Sequence, residues 1–98
     1  MYIVRDIFQL KFGHFKDVKK LFDNMPGEKM MPDATDMRVL SDFTGDSYRL
    51  ILEAGFKSLQ DYEKSLSGTM GQGDWQQWYG DFKQHVESSH REILKQVF

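Results

Sequence analysis

The sequence predicts one α+β domain of the ferredoxin-like type spanning residues 1–98, in which an antiparallel sheet carries helices on one face. Two observations support this fold class. Segments rich in β-branched and aromatic residues are interspersed with segments whose apolar residues recur at helical spacing. The predicted order is β-α-β-β-α-α-β, which is the split βαβ arrangement when the two consecutive helices count as one crossover.

The first third of the chain is predicted to form a strand, a helix and a loop. Residues 2–12 are rich in Tyr, Ile, Val and Phe, as strands are, and Gly13 ends this strand. Apolar residues at helical spacing then predict a helix that ends at Pro26-Gly27. These apolar positions are Phe15, Val18, Leu21, Phe22 and Met25. Residues 26–36 hold both prolines and show no period, which indicates a loop.

Three further strands complete the predicted sheet. Residues 37–43 and 48–54 are separated only by a turn cluster at 44–47, and so short a connection predicts an antiparallel hairpin. Gly55 is expected to end the third strand. Residues 90–98 alternate apolar and polar side chains, which favours a last strand and leaves a helical ending open.

The second crossover is predicted as two helices joined by a linker. Ser58 and Asp61 have the spacing of a capping box, which places a helix start at Ser58. Residues 67–73 contain three glycines and are expected to form a mobile linker. Asp74 with Gln77 repeats the capping pattern and opens a second helix. The apolar stripe of that helix is Trp75, Trp78, Tyr79, Phe82 and Val86.

Composition excludes several classes of function. The 13 basic residues are scattered among 15 acidic ones, so no basic face for nucleic acid is expected. The chain has no cysteine, which excludes disulfides and thiolate chemistry and fits a cytoplasmic protein. No apolar run approaches the roughly 20 residues of a membrane helix, and the N-terminal residues lack the pattern of a signal peptide.

One face of the predicted sheet is half apolar although the helices cover the other. Such a face should be polar if it met only water, so it indicates an interface or a pocket. We therefore expect a homodimer in which two sheets pack face to face about a two-fold axis. The residues assigned to this face are Ile3, Ile7 and Ile51 with Arg5, Arg49 and Glu53.

The candidate ligand site consists of Arg5, Arg49, Glu53 and Trp75. The charged groups could form an anion-binding pocket, since a guanidinium holds a carboxylate through two hydrogen bonds. The alternative, an ion-pair network across the dimer interface, is favoured, since ionisable groups also pair for structural reasons. Trp75 follows a glycine-rich segment in the first turn of its helix and could stack on an apolar ligand.

No metal or cofactor is predicted. The three imidazoles belong to His14, His85 and His90, and the last two are five residues apart, which is not the i, i+4 spacing of a helical metal pair. His14 is distant from both in the sequence.

Five segments carry a family resemblance: the strand ending in Lys11-Phe12-Gly13, MRVLSDFTG (37–45), YRLILEAGFKSLQDYEKSL (48–66), the Trp-bearing helix and HREILKQVF (90–98). In these segments the chain resembles the dimeric α+β barrel superfamily, in its NIPSNAP-like and antibiotic-biosynthesis-monooxygenase-like branches. The resemblance implies a homodimer with a ligand-sized cavity beneath each sheet. None of these segments is a catalytic motif, and this fold hosts unrelated functions.

Three functions remain open at this point. The leading hypothesis is a homodimeric domain that binds a small apolar or anionic compound, which the resemblance extends to a cofactor-independent oxygenase or isomerase. The alternative is a structural or interaction module without chemistry. A haem-handling oxygenase is a third possibility, because relatives of that type have a Trp followed by a His, here Trp75 and His85. The first strand lacks the Asn expected in such relatives, which counts against it.

Overall fold

The computed structural model describes residues 1–24, 31–71 and 73–98, except for the side chain of Met70. Its strands are β1 (Tyr2–Leu10), β2 (Asp36–Ser41), β3 (Arg49–Phe56) and β4 (Val86–Lys95). Its helices are α1 (Phe15–Asp23), α2 (Leu59–Met70) and α3 (Gly73–Lys83). The predicted ferredoxin-like α+β class, with its second crossover divided into two helices, is confirmed.

The strands pair in the order β2-β3-β1-β4, and each neighbouring pair is antiparallel. β1 is therefore central, with β3 on one side and β4 on the other. Side chains alternate along a strand, so the even-numbered residues of β1 face the helices and the odd-numbered ones face away from them. We call the helix-free side the open face. In β1 it presents Ile3, Arg5, Ile7 and Gln9, flanked by the residues opposite them in β3 and β4.

Two clusters of buried side chains join the sheet to the helices. The first cluster links β1 and β3 to α1 and α3 through Leu10, Val18, Leu50, Leu52, Trp78 and Phe82. The second cluster links β1 and β3 to α2 through Val4, Ala54, Phe56 and Tyr62. Burying a large apolar side chain fully contributes about 1.5–3 kcal/mol, so these clusters supply most of the force that holds the helices on the sheet.

The third strand continues through Gly55 to Phe56, so the prediction that Gly55 ends it was wrong. A glycine is needed at position 55 because the segment that contains Thr35 and Asp36 approaches its backbone closely. A Cβ atom at Gly55 would lie 2.5 Å from Asp36 Oδ1 and 3.0 Å from Thr35 Oγ1. The Thr35 N–H also donates to the Gly55 carbonyl at 2.8 Å, which ties the start of β2 to β3.

The predicted linker at residues 67–73 is largely helical. α2 continues to Met70 and α3 begins at Gly73, so the prediction of a mobile linker was wrong for the part of this segment that is described. Packing overrides the low helix propensity of glycine here, because Ser65 and Thr69 on the same helix are fully or almost fully buried. Asp74 lies within the first turn of α3 rather than before it.

The last strand begins at Val86, four residues earlier than predicted, and ends at Lys95. Val86 belongs to this strand rather than to the apolar stripe of α3, because that helix ends at Lys83. The alternative of a helical ending is excluded. The predicted end of the first helix at Pro26-Gly27 lies outside the described residues.

Within the described ranges, no helix is both long enough and apolar enough to cross a membrane.

Ser58→Ala is expected to lower the free energy of unfolding by about 1 kcal/mol. The Ser58 side chain accepts a hydrogen bond from the Asp61 N–H at 3.1 Å, which satisfies one of the free donors at the start of α2. Urea unfolding measures the loss. Ser67→Ala is the matched control, because Ser67 is exposed in the same helix and alanine is the better helix former. Equal effects of the two changes would contradict the capping role.

Candidate functional site

The open face carries a row of four charged residues, one from each strand. Arg38, Glu53, Arg5 and Glu92 lie opposite one another in the strand register, so positive and negative charges alternate across the sheet. Arg5 Nε donates to Glu53 Oε2 at 2.8 Å, and Arg5 Nη1 lies 3.5 Å from Glu92 Oε2. Arg38 Nε lies 3.4 Å from Glu53 Oε1. We call these residues the charged row.

Arg49 lies on the same face but has a different partner. Its Nη2 donates to Asp42 Oδ1 at 2.8 Å, and its Nε donates to the same oxygen at 3.1 Å. These hydrogen bonds lower the pKa of Asp42 below its ordinary value of 3.8 and raise the pKa of Arg49. The structure thus brings Arg5 and Glu53 together, as their shared parity predicts, and directs Arg49 to Asp42, the first residue after β2.

Aliphatic side chains flank the charged row on both sides. On one side, Leu40, Ile51 and Ile7 lie next to one another across β2, β3 and β1. On the other side, Ile3 lies opposite Leu94 of β4. The open face therefore combines apolar surface with charges that already pair within the chain.

A cavity of about 280 Å³ lies on the other side of the sheet, beneath the helices. It occupies the gap between the two core clusters, since its walls include Leu52, Trp78 and Phe82 of the first cluster and Leu66, which packs on the second. Trp75 lines this cavity, so it lies on the opposite side of the sheet from the other three predicted site residues.

The wall that α3 contributes is aromatic and well fixed. The rings of Trp78 and Phe82 stack with their centroids 5.3 Å apart, and Trp75 meets Trp78 edge-on at 5.8 Å. Trp78 Nε1 donates to the Leu21 carbonyl at 2.8 Å, which anchors its indole to α1. Tyr79 is exposed and marks the mouth of the cavity. This wall suits the face of a flat, apolar ligand.

The cavity wall includes the ion pair of Asp6 and Arg91. Arg91 donates from Nε to Asp6 Oδ1, and its guanidinium lies 5.8 Å from the centre of the Tyr62 ring. Burial alone would lower the pKa of Arg91, but the hydrogen bond and charge of Asp6 outweigh that effect and raise it. Both partners line the cavity, so it offers a carboxylate and a guanidinium to a ligand.

Asp6 and Arg91 are not among the site residues that the sequence predicts. The sequence does contain a signal for Asp6. It is the one charged residue among the even-numbered residues of the first strand, and the others are Tyr2, Val4, Phe8 and Leu10. Its position predicts that it points among the helices, where a lone carboxylate needs a partner. Arg91 could not be identified in this way, because that requires the register of β4 against β1.

Two histidines that are far apart in the sequence meet near the N-terminus of α1. His14 Nδ1 lies 2.8 Å from His85 Nδ1. Asp17 contributes a carboxylate oxygen to the same group, and the three potential ligand atoms all lie within 4.8 Å of one another. Spacing along the chain could not reveal this group, because the fold assembles it from two separate segments.

Comparisons with solved structures show the same fold in two groups of bacterial proteins. A NIPSNAP family protein with unknown function from Agrobacterium tumefaciens matches with a TM-score of 0.89 and 16% identity, covering 98% of this chain and 87% of that chain. A second NIPSNAP family protein from that organism has a TM-score of 0.88 and 18% identity, with coverages of 98% and 85%. A putative antibiotic biosynthesis monooxygenase from Nitrosomonas europaea has a TM-score of 0.77 and 14% identity, covering both chains in full.

These likenesses confirm, at the level of the fold, the resemblance that the sequence suggests. No protein-family model and no curated protein matches the chain. At identities of this size the shared fold carries no activity with it. The function of this protein therefore depends on its own side chains.

Tyr62→Phe is expected to make the protein relatively more stable at alkaline pH. Burial raises the pKa of the Tyr62 phenol above its ordinary value of 10.0, although the charge of Arg91 partly opposes this. The folded state therefore holds the phenol proton more tightly than the unfolded state. This contribution to stability is complete below pH 10 and is lost as the pH rises through the raised pKa.

Urea unfolding at about pH 8 and about pH 11 tests this expectation, with Tyr79→Phe as the control because the Tyr79 side chain is exposed. Tyr62→Phe should gain stability relative to the wild type between the two pH values, and Tyr79→Phe should not. The same gain for both variants would show that the Tyr62 environment is not special.

Proposed function

We propose that the protein binds a small, flat, largely apolar compound that carries an anionic group, and that it does so in the cavity between the sheet and the helices. The observation that supports this most is the combination of an aromatic wall from α3 with the guanidinium of Arg91 in one cavity. Ligand sites are typically apolar concavities with few polar groups that fix orientation, and this cavity has that composition.

The size of the cavity limits the ligand. At about 280 Å³ it is close to the lower end of the usual range for ligand sites, about 300–1,000 Å³. It is larger than an engineered cavity of about 150 Å³ that binds benzene. A compound with a single ring or two fused rings therefore fits this cavity best.

Arg91 is the group that would select an anion. Its hydrogen bond to Asp6 is made through Nε, and a guanidinium has further N–H donors that can hold a carboxylate. Its side chain is 46% exposed, so a ligand can reach it. Asp6 would keep the guanidinium in place while a second anion binds.

The second part of the proposal is a homodimer formed through the open face. The accessible surface of the chain is 6689 Å², whereas a monomeric protein of 11.6 kDa is expected to expose about 5,800 Å². The flanking aliphatic residues supply apolar area, and the ion pairs of the charged row allow charged groups to enter an interface already neutralised. A cytoplasmic location, based on the absence of cysteine, belongs to this proposal.

In this arrangement Arg5, Arg49 and Glu53 act as interface residues. The alternative, in which they bind the ligand, predicts instead that an anion competes with Glu53 for Arg5 or with Asp42 for Arg49. The experiments below separate the two interpretations, because Arg5 and Arg91 lie on opposite sides of the sheet.

An oxygenase or isomerase that needs no cofactor is the activity this proposal would extend to, and the Nitrosomonas europaea protein of the same fold is named a putative antibiotic biosynthesis monooxygenase. For that activity, Asp6 Oδ2 would accept a proton from the bound compound, while Asp6 Oδ1 keeps its hydrogen bond from Arg91 Nε. The haem hypothesis fits poorly, because His85 is not among the residues that line the cavity and instead contacts His14. The interaction module without a ligand is the remaining alternative.

We expect the protein to bind 1-naphthoate and Arg91→Met to weaken that binding about tenfold or more, which corresponds to the loss of one charge-assisted hydrogen bond. Isothermal titration calorimetry measures both affinities. The neutral amide of the same ring system should bind with similar affinity to wild type and variant. The double variant Asp6→Asn/Arg91→Met leaves no unpaired carboxylate and should show the same selective loss.

Arg5→Met is the matched control, because it removes the same charge from the open face. Binding that is weakened by Arg5→Met and unaffected by Arg91→Met would place the ligand on the open face and refute the cavity proposal. If neither 1-naphthoate nor its amide binds, the interaction module is favoured.

Ile51→Lys is expected to convert the dimer to a monomer, because it places an unpaired charge in the apolar part of the open face. Sedimentation equilibrium should give twice the monomer mass of 11.6 kDa for the wild type and the monomer mass for the variant. Gln60→Lys on the exposed side of α2 introduces the same charge elsewhere and should remain dimeric. A monomeric wild type would refute this part of the proposal and leave the cavity proposal standing.

A further inference from the structure

The group of His14, Asp17 and His85 lies outside the cavity and is held in place by the backbone. The His85 carbonyl accepts a hydrogen bond from the Lys11 N–H at 2.8 Å, and the His14 N–H donates to the Lys11 carbonyl at 3.0 Å. These bonds join the segment after β1 to the turn between α3 and β4. The two histidine backbones are therefore fixed relative to each other.

The side chains complete a set of potential metal ligands. Asp17 is three residues after His14, so both lie on the same side of the first turn of α1. The two Nδ1 atoms are 2.8 Å apart, and the three ligand atoms are within 4.8 Å of one another. Nitrogen ligands on a tetrahedral zinc ion lie about 3.3 Å apart, so a small rotation of one imidazole is sufficient for an ion to enter.

We propose that His14, Asp17 and His85 form a binding site for a divalent transition-metal ion such as Zn²⁺. Two imidazoles and one carboxylate are donors that zinc and its neighbours in the first transition row prefer, whereas calcium and magnesium take oxygen ligands. Three protein ligands leave a position for water or an external ligand. His14 and Asp17 belong to the start of α1 and His85 to the turn before β4, so an ion would clamp these two segments together.

A simpler arrangement of the same residues is a hydrogen bond between the two imidazoles. One Nδ1 would then donate to the other, and Asp17 would remain an exposed surface carboxylate. In that arrangement the Asp17 carboxylate takes no part in the contact between the two histidines. The metal site accounts for all three side chains, and it predicts a measurable stoichiometry.

Titration of the chelator-treated protein with Zn²⁺ tests the site by calorimetry. We expect one ion per chain. His14→Ala and His85→Ala should each weaken binding at least tenfold, since even residues that only support metal ligands cost 10–100-fold when changed. Asp17→Asn should weaken binding less than either histidine change. His90→Ala is the matched control and should bind Zn²⁺ as the wild type does, because His90 lies in β4 outside this group.

Cobalt provides a readout that does not depend on stability. Co²⁺ bound by these ligands should show visible absorption bands that are lost in His14→Ala and kept in His90→Ala. His85→Gln serves if His85→Ala disturbs folding, because glutamine keeps a polar side chain and is a poor ligand for zinc. Equal Zn²⁺ affinity in wild type and a His14→Ala/His85→Ala variant would overturn the site, as would the absence of stoichiometric binding by the wild type.

Discussion

The alternation of side chains along β1 is the constraint on which the rest of this structure depends. β1 is the central strand, and consecutive residues point to opposite sides of the sheet. Asp6 and Phe8 therefore line the cavity beneath the helices, while Arg5 and Ile7 belong to the open face. A shift of the strand by one residue would exchange these sets and destroy both surfaces.

Charged side chains are paired differently on the two sides of the sheet. On the open face, Glu53 is shared by Arg5 and Arg38, so the arginines there are committed within the chain. Beneath the helices, Arg91 has a single carboxylate partner in Asp6, bonded through Nε, and it lines the cavity. Paired charge can be buried in an interface at lower cost than lone charge, whereas an accessible guanidinium can still bind an anion. This contrast is the basis of the proposal that assembly uses the open face and ligand binding uses the cavity.

Most of the fold could be predicted from the sequence, but only part of the candidate site could. The strand parity that places Arg5 and Glu53 on one face is visible in the residues, and so is the cap at Ser58. The glycines at 67–73 were misleading, because local propensity does not include the burial that keeps α2 helical to Met70.

The features that the sequence could not reveal are those created by tertiary contacts. Arg91 becomes the partner of Asp6 only through the register of β4, whose start was placed four residues too late. His14 and His85 meet only when the turn after α3 packs beside the start of α1. In both cases the two partners are separated by most of the chain, and no periodicity connects them.

Both tryptophans of the chain, Trp75 and Trp78, lie in the wall of the cavity. All tryptophan fluorescence of this protein therefore comes from residues that a molecule in the cavity can contact. Trp78 is 7% exposed and hydrogen-bonded to a carbonyl, so its indole is shielded and fixed, whereas Trp75 is only partly buried. The molecule thus contains its own optical probe, in which one fluorophore senses the packed interior and its neighbour senses the entrance.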